Sequence, residues 1–540
     1  MPISSTDALS EQYDVCVVGA GPAGIACALR AYDRGLRVLV LEAGGKTPVP
    51  GDPDVLAAEI SHPQFHDSTD IAAASALGGS SHWWGGRCAP FDIADFRFWP
   101  IDYAAMTPWW AAAAEFLGSK PLVESSPPGA FAQLAAFNAR RDETWGPELN
   151  MARRWNARLK SSNGPTIVLN ARVTGLALDE RAISHVNVRV GAQSYAVNAR
   201  HVVLTCGGLG SLRLLLMTQR ANPWLCGGAE GPLGRGYMGH LTGVITDLEP
   251  SDAADAQAFV ARPVGDDVFG RRRIIPSTET VTRENIANIA FWLESASSQD
   301  PRHGSAVGSA KYLAAHLAKA LLGRGGGDSD ALKAHIANVT REPISAISGL
   351  THAMYLLAAA RVTGRHPRGT ALLPSSPGRY QLFYHAEQAP DARNRIGLSA
   401  HTDSIGLPKL KIDFAMREHD FASIVRAHDL LDADLRTAGA GQLHFRAPPE
   451  ERIALVEESS RDGYHQMGGA VISADPAVGV VDTDLRVHGL SNLWVASGCV
   501  FPSGGQANPT MTIVALSLRL AEHLAGQSDA PTTRAAEMAT

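Results

Sequence analysis

The sequence predicts an α/β protein in two parts: a parallel-sheet, nucleotide-binding domain that is discontinuous in the chain, and an α+β domain built on an antiparallel sheet. Three observations carry this reading. Residues 13–45 run strand, glycine turn, helix, strand, the pattern of a Rossmann-type unit. Residues 199–218 (ARHVVLTCGGLGSLRLLLMT) return to strand, glycine turn and helix after a long excursion. Residues 380–414 alternate polar and apolar side chains around turn signals, as antiparallel strands do. A chain of 540 residues also exceeds one ordinary core. The predicted boundaries are 1–226 and 454–526 for the nucleotide-binding domain, with some excursion of the second domain inside the first segment. The second domain takes 227–453, and 527–540 form a disordered tail.

Composition narrows the class. Hydrophobic content of 45% and charged content of 19% are those of a globular protein, and a formal net charge of −6 argues against nucleic acid as the main partner. Six scattered cysteines without a CxxC pair predict buried thiols, with neither a disulfide framework nor a zinc site; no metal is expected. The opening residues MPISSTDALSEQ carry no basic and apolar leader, and no later apolar run reaches bilayer length, so the cytoplasm is the expected location. Export bound to a signal-bearing partner would leave no mark in this pattern.

The first motif is DVCVVGAGPAG followed by LVLEAG. Residues 15–18 read as a buried strand, Gly19, Gly21 and Gly24 supply GxGxxG, 25–34 read as a helix, and 37–41 as a second strand ending in Glu42. The glycines permit a tight turn and bring a pyrophosphate close to the helix N-terminus, and the acid can take the ribose hydroxyls. An acid at that position fits FAD or NAD rather than NADP. SALGGSSHWWGGRCAPFD at 75–92 then packs glycine pairs, serines and tryptophans into one stretch, suiting backbone laid against a flat aromatic ligand.

The middle of the chain is less informative. An alanine-rich helix ends near Leu117, 166–173 reads as a strand, and 186–190 with 194–197 as a hairpin. GRGGGDSD at 323–330 has the composition of a flexible lid tip, and 415–438 reads as a helix. Tyr384, His385, Glu387 and Gln388 are candidates to line a polar pocket.

The C-terminal part organises the chemistry. YHQMGG at 464–469 precedes SGCVFPSGGQANPT, after which apolar residues at Met511, Val514, Ala515 and Leu518 mark one face of a helix. Asn508 and Pro509 read as N-cap and first helical residue, and Gly526 as the stop. A strand-and-turn segment between His465 and Asn508 can fold them together at that helix start. Such a pair suits removing a proton and a hydride from an alcohol, with a neutral histidine as proton acceptor.

These motifs together resemble the glucose–methanol–choline (GMC) oxidoreductases, FAD enzymes that oxidise alcohols. The resemblance covers nearly the whole chain, with the motifs in the family's order. It implies FAD held by Gly19, Ala20, Gly21, Pro22, Ala23, Gly24, Glu42 and Ala43. It places Gly78, Gly79, Ser80, Ser81 and Trp83 beside the isoalloxazine and Val173 at the adenine side, with Cys206, Gly207, Gly498, Pro509 and Thr510 closing the site. His465 is then the base, and Asn508 orients the alcohol toward flavin N5. HAEQAPDARNRIGL at 385–398 is similar to the family's first substrate-domain strand pair.

The QANPT form, with asparagine where many members carry a second histidine, resembles the pyranose oxidase and bacterial FAD sugar dehydrogenase branch. Members that bind FAD covalently carry histidine where this chain has Trp83, while His82 lies one position early, so non-covalent FAD is expected. The resemblance implies a sugar or glycoside hydroxyl as substrate and a dehydrogenase in preference to an oxidase. It leaves quinone, dye-like acceptor or oxygen as electron acceptor, and a small partner subunit or homo-oligomer as assembly. The alternative from another class is an FAD-containing lyase of the same fold without net redox chemistry.

Overall fold

The computed structural model describes residues 6–50, 56–265, 267–295, 299–321, 329–348, 350–351, 354 and 378–528. Its centre is a five-stranded parallel sheet in the order Leu493–Val495, Ala199–Leu204, Tyr13–Val18, Val38–Leu41, Thr166–Val168. Val17 sits between Val203 and Val40 in register, and the strands are continuous apolar runs because both faces are covered. The helix Pro22–Asp33 packs on this sheet and against the helix Thr510–Ser528, whose Glu522 bridges Arg30 of the first helix and Arg34 at its C-cap. Joining strands from residues 13–204 with one from 493–495 makes the sheet discontinuous in the chain.

The second assembly is antiparallel. Its main sheet runs Ile289–Glu294, Tyr380–Glu387, His240–Pro250, Gly441–Phe445, with the helices Glu418–Thr437 and Arg452–Ser459 against it. Smaller sheets join distant segments: Val123–Glu124 and Arg141–Trp145 pair with Arg262–Gly265 and Val268–Arg272, and Ala58–Ile60 pairs with Pro408–Asp413. The α/β class and the antiparallel substrate-side sheet are therefore both present.

Several local expectations need correction. The strand expected at 166–173 is two, Thr166–Val168 and Ala171–Asp179, separated at Asn170, whose φ of 54° turns the chain. Asparagine tolerates that left-handed region better than most residues. The second of these strands joins Ala182–Val190 and Gln193–Val197 in a three-stranded sheet. The last helix does not stop at Gly526 but runs on to Ser528. It also begins one residue later than expected: the Pro509 carbonyl accepts the first helical bond, from Ile513 N at 2.9 Å, so Pro509 rather than Asn508 holds the N-cap position. The expected lid tip lies mostly outside the described residues, as does all of the expected tail beyond 528.

Candidate active site

The glycine motif folds as a phosphate-type turn. Gly19 has φ of 103°, and a Cβ there would lie 2.8 Å from the Cys206 Cα, so Thr205 and Cys206, just past the strand Ala199–Leu204, press directly on the turn. At Gly24 a Cβ would lie 1.9 Å from the Gly19 carbonyl oxygen, which is what lets the helix start pack onto the turn. Gly21 occupies the N-cap with no side-chain cap, leaving the helix N–H groups for a ligand. Glu42 is buried; one oxygen accepts from Ala20 N at 2.9 Å and the other from Gly44 N at 2.8 Å. Burial raises its carboxyl, against the two backbone donors, Ser75 and Arg172.

A cavity of about 550 Å³ runs from this turn past residues 79–87 to the start of the last helix. All of the predicted site residues line it except Ala20, Gly24 and Gly78. Those three act behind the surface, Ala20 through its bond to Glu42, Gly24 through close packing, and Gly78 by turning the chain at φ of 100°. Trp83 faces the cavity and is 43% exposed, whereas His82 is not among the lining residues and its Nε2 meets the Leu77 carbonyl at 3.0 Å.

At the far end the 462–470 segment is clamped between two others. Met238 and Met467 exchange backbone bonds on one side, while Gly468 N and Ala470 N donate to Gly498 and Cys499 on the other. This fixes His465 with Nε2 3.1 Å from Asn508 Nδ2. The predicted pair does meet, but through a side-chain contact and not through an asparagine cap of the helix. Both residues line the cavity.

Sequence reasoning missed what surrounds His465. Asp462, three residues upstream, accepts from Gly463, Tyr464 and His465 N–H groups through Oδ1. Through Oδ2 it accepts from His240 N at 2.7 Å and lies 3.2 Å from His465 Nδ1. Burial alone would raise this carboxyl; His465 and His240 hold it well below the usual carboxylate range. The only hint in the sequence is the Asp-Gly pair, which reads equally well as a plain turn.

Two further histidines pack on His465, with ring centroids at 4.7 Å for His240 and 5.3 Å for His385. Their Nε2 and Nδ1 atoms bond the Gly505 and Gln506 carbonyls at 2.9 Å. Burial pushes His240 down to about 3 and His385 well below the ordinary histidine value, so both are neutral. Ring nitrogens of all three histidines lie within 4.8 Å of one another, which makes them the one metal-type ligand group among the described residues.

The pocket role suggested for Tyr384, His385, Glu387 and Gln388 is not what the structure shows. None of them lines the cavity, and their polar groups bond inward: Tyr384 with Ser459, Glu387 with Arg97, and Gln388 with Gly239 N and Ala415 O. The first three belong to the strand Tyr380–Glu387 and Gln388 directly follows it; all four are buried, and alternation alone cannot tell an inner face from a ligand face.

Comparison with known proteins decides the family. The C-terminal family model described as GMC oxidoreductase matches residues 390–517, spanning His465 and Asn508, and an FAD binding domain model matches 14–49. The chain is a GMC oxidoreductase. It is 24% identical to paromamine 6'-oxidase of Streptomyces fradiae over 95% of this chain and 91% of that protein. It is 28% identical to the fructose dehydrogenase large subunit of Gluconobacter japonicus over 26% of this chain and 24% of that one. A formate oxidase structure from Aspergillus oryzae superposes with a TM-score of 0.53 at 16% identity, covering 96% of this chain and 99% of that one, which shows the shared fold.

This GMC oxidoreductase is thus FAD-dependent and acts on the CH–OH group of an alcohol, with a separate electron acceptor. The cavity fits the cofactor: the uncapped helix start and the Gly19 turn suit a pyrophosphate, and Gly79, whose Cβ would lie 2.8 Å from the Gly21 Cα, brings the residues 79–81 close against that turn. No described helix is long and apolar enough to cross a membrane.

Proposed function

We propose that this enzyme oxidises a secondary hydroxyl of a sugar or glycoside, with His465 as general base and Asn508 as the group that orients the hydroxyl. The observation that carries the reading is the 3.1 Å contact of His465 Nε2 with Asn508 Nδ2 on the wall of the cofactor-type cavity. Bound FAD supplies the hydride acceptor. His465 takes the hydroxyl proton at Nε2, which makes the carbinol carbon a ready hydride donor. Asn508 donates to the alcohol oxygen and fixes it beside the base. The cavity wall at Trp83, Trp84 and Tyr464 offers flat apolar surface, of the kind that stacks on sugar rings.

The sugar assignment rests on the QANPT pattern and on the fructose dehydrogenase likeness, whose naming as a large subunit also supports a partner subunit here. The same pattern favours a dehydrogenase. Trp83 at the cavity wall, with His82 turned away to Leu77, supports non-covalent FAD. The segments 1–226 and 454–526 are read as the cofactor half and 227–453 as the substrate half.

The test is anaerobic flavin reduction by a panel of sugars and glycosides. His465→Ala should keep FAD and lose about 10²- to 10⁴-fold in reduction rate, together with the acid limb of its pH profile. Asn508→Ala should lose less. Near wild-type reduction by His465→Ala would place the base elsewhere.

A further inference from the structure

Asp462 lies outside the cavity and touches neither the substrate space nor the cofactor space, yet more hydrogen bonds converge on it than on His465 itself. It is 4% exposed and accepts five donors, four of them backbone N–H groups of residues 463–465 and 240. The fifth is His465 Nδ1 at 3.2 Å. A carboxylate can only accept, so Nδ1 must carry a proton. The other end of the ring agrees, because Asn508 Nδ2 is a donor and needs a bare Nε2. Both contacts select one tautomer, the one whose lone pair faces the cavity.

Resting on the reading of His465 as base, we infer that Asp462 is a positioning residue that makes His465 a base. It holds the Nδ1–H tautomer and supplies the counter-charge for the imidazolium. In the step itself the substrate O–H bond breaks, an N–H bond forms at Nε2, and the carbinol hydride leaves to the bound FAD. The proton stays on His465, whose positive charge then lies against the Asp462 carboxylate. Among the described residues the other groups facing His465 are His240, His385 and Asn508, and none of them carries a negative charge. Around Asp462 stand the neutral His66–Tyr237 pair and the Arg461–Asp67 ion pair.

Asp462→Asn separates positioning from support. The amide keeps an oxygen for the three N–H groups of residues 463–465 but turns its NH₂ toward His240 N, which loses its acceptor, and toward His465 Nδ1, which forces the opposite tautomer and blocks Nε2. Flavin reduction should fall roughly 10- to 150-fold, the loss of one charge-assisted hydrogen bond. Its acid limb should move to lower pH, since the imidazolium loses its counter-charge. In an Asp462→Asn, His465→Ala double variant the rate should match His465→Ala alone within about twofold, because the carboxylate acts only through the ring. A second full loss in the double variant, or an unmoved acid limb, overturns the proposal. Should Asp462→Asn not retain FAD, ¹⁵N-histidine NMR on the wild-type protein decides, with the His465 signal identified by its loss in His465→Ala. A bare Nε2 and protonated Nδ1 are expected, and the reverse overturns the proposal. If His465→Ala reduces flavin at the wild-type rate, the functional reading fails first and independently of Asp462.

Discussion

Replacing Glu42 with glutamine tests how the cofactor turn is held. The two carboxylate oxygens of Glu42 accept from Ala20 N, buried after the first strand, and from Gly44 N, half-buried after the second. A glutamine of the same shape must turn its NH₂ toward one of these donors, so one charge-assisted bond is lost and one backbone N–H faces another donor. Such a bond contributes about 1.5–3 kcal/mol. Because the Gly19–Gly24 turn is then no longer held ready, much of that loss should appear in FAD binding, weakening Kd roughly 10- to 150-fold. The assay is titration of apo-protein with FAD, followed by quenching of flavin fluorescence, beside thermal melts of both apo-proteins. A Kd within about threefold of wild type, with an unchanged melt, would refute the view that Glu42 organises the turn.

Gly24→Ala should yield colourless protein, because its Cβ would lie 1.9 Å from the Gly19 carbonyl oxygen and 2.7 Å from Thr205 Oγ1; absorbance of the purified variant checks it. Denaturing the holoenzyme in acid should release all flavin to the supernatant, and flavin remaining on the chain would refute non-covalent attachment. Stability should fall on acidification below about pH 6.5. Burial holds His240 down to about 3 and His201 and His428 down to about 4 in the fold, against about 6.5 unfolded. The unfolded chain therefore binds more protons in that window, so stability is full above it and is lost as pH falls, at about 1.4 kcal/mol per pH unit for each histidine. Thermal melts of the holoenzyme from pH 8 to pH 5 measure this, and a flat Tm would contradict it.

The cofactor motif was legible in the sequence because its pattern is local: Gly24 is forced by its contact with the Gly19 carbonyl within one turn, and Glu42 follows at the end of the next strand. The reason for Gly19 was not local, since the chain that presses on it is Thr205–Cys206, far along the sequence. The pairing of His465 with Asn508 was legible for a different reason: Asn508 stands before Pro-Thr at a helix start, and YHQMGG and QANPT resemble the family's catalytic and closing motifs in their order. What could not be read was the ring of support around them. His240 and His385 enter from two strands of the antiparallel sheet, brought beside His465 by the Met238–Met467 bridge and by the carbonyls of Gly505 and Gln506. A histidine on an alternating strand gives no sign of which histidine it will meet. Asn508 shows the same limit at finer scale. A residue before Pro-Thr at a helix start has the sequence of a cap, and only the fold shows its amide turned to His465 instead.

The neutral pair beside the base has its own electrostatic logic. A base that becomes a cation cannot tolerate another cation a ring's width away, where two unit charges would repel by several kcal/mol even at an effective dielectric constant near 20. His240 and His385 avoid this because burial denies them the proton, and each spends its one N–H on a backbone carbonyl. They form a polar wall that carries no charge at working pH. Among the described residues Asp462 is then the one full charge in direct contact with the ring, and it has the sign that favours proton uptake. Burying two histidines and one carboxylate around a third histidine thus gives four titratable groups separate roles. Only His465 reaches the cavity, so on the proposed mechanism it alone changes its charge during turnover.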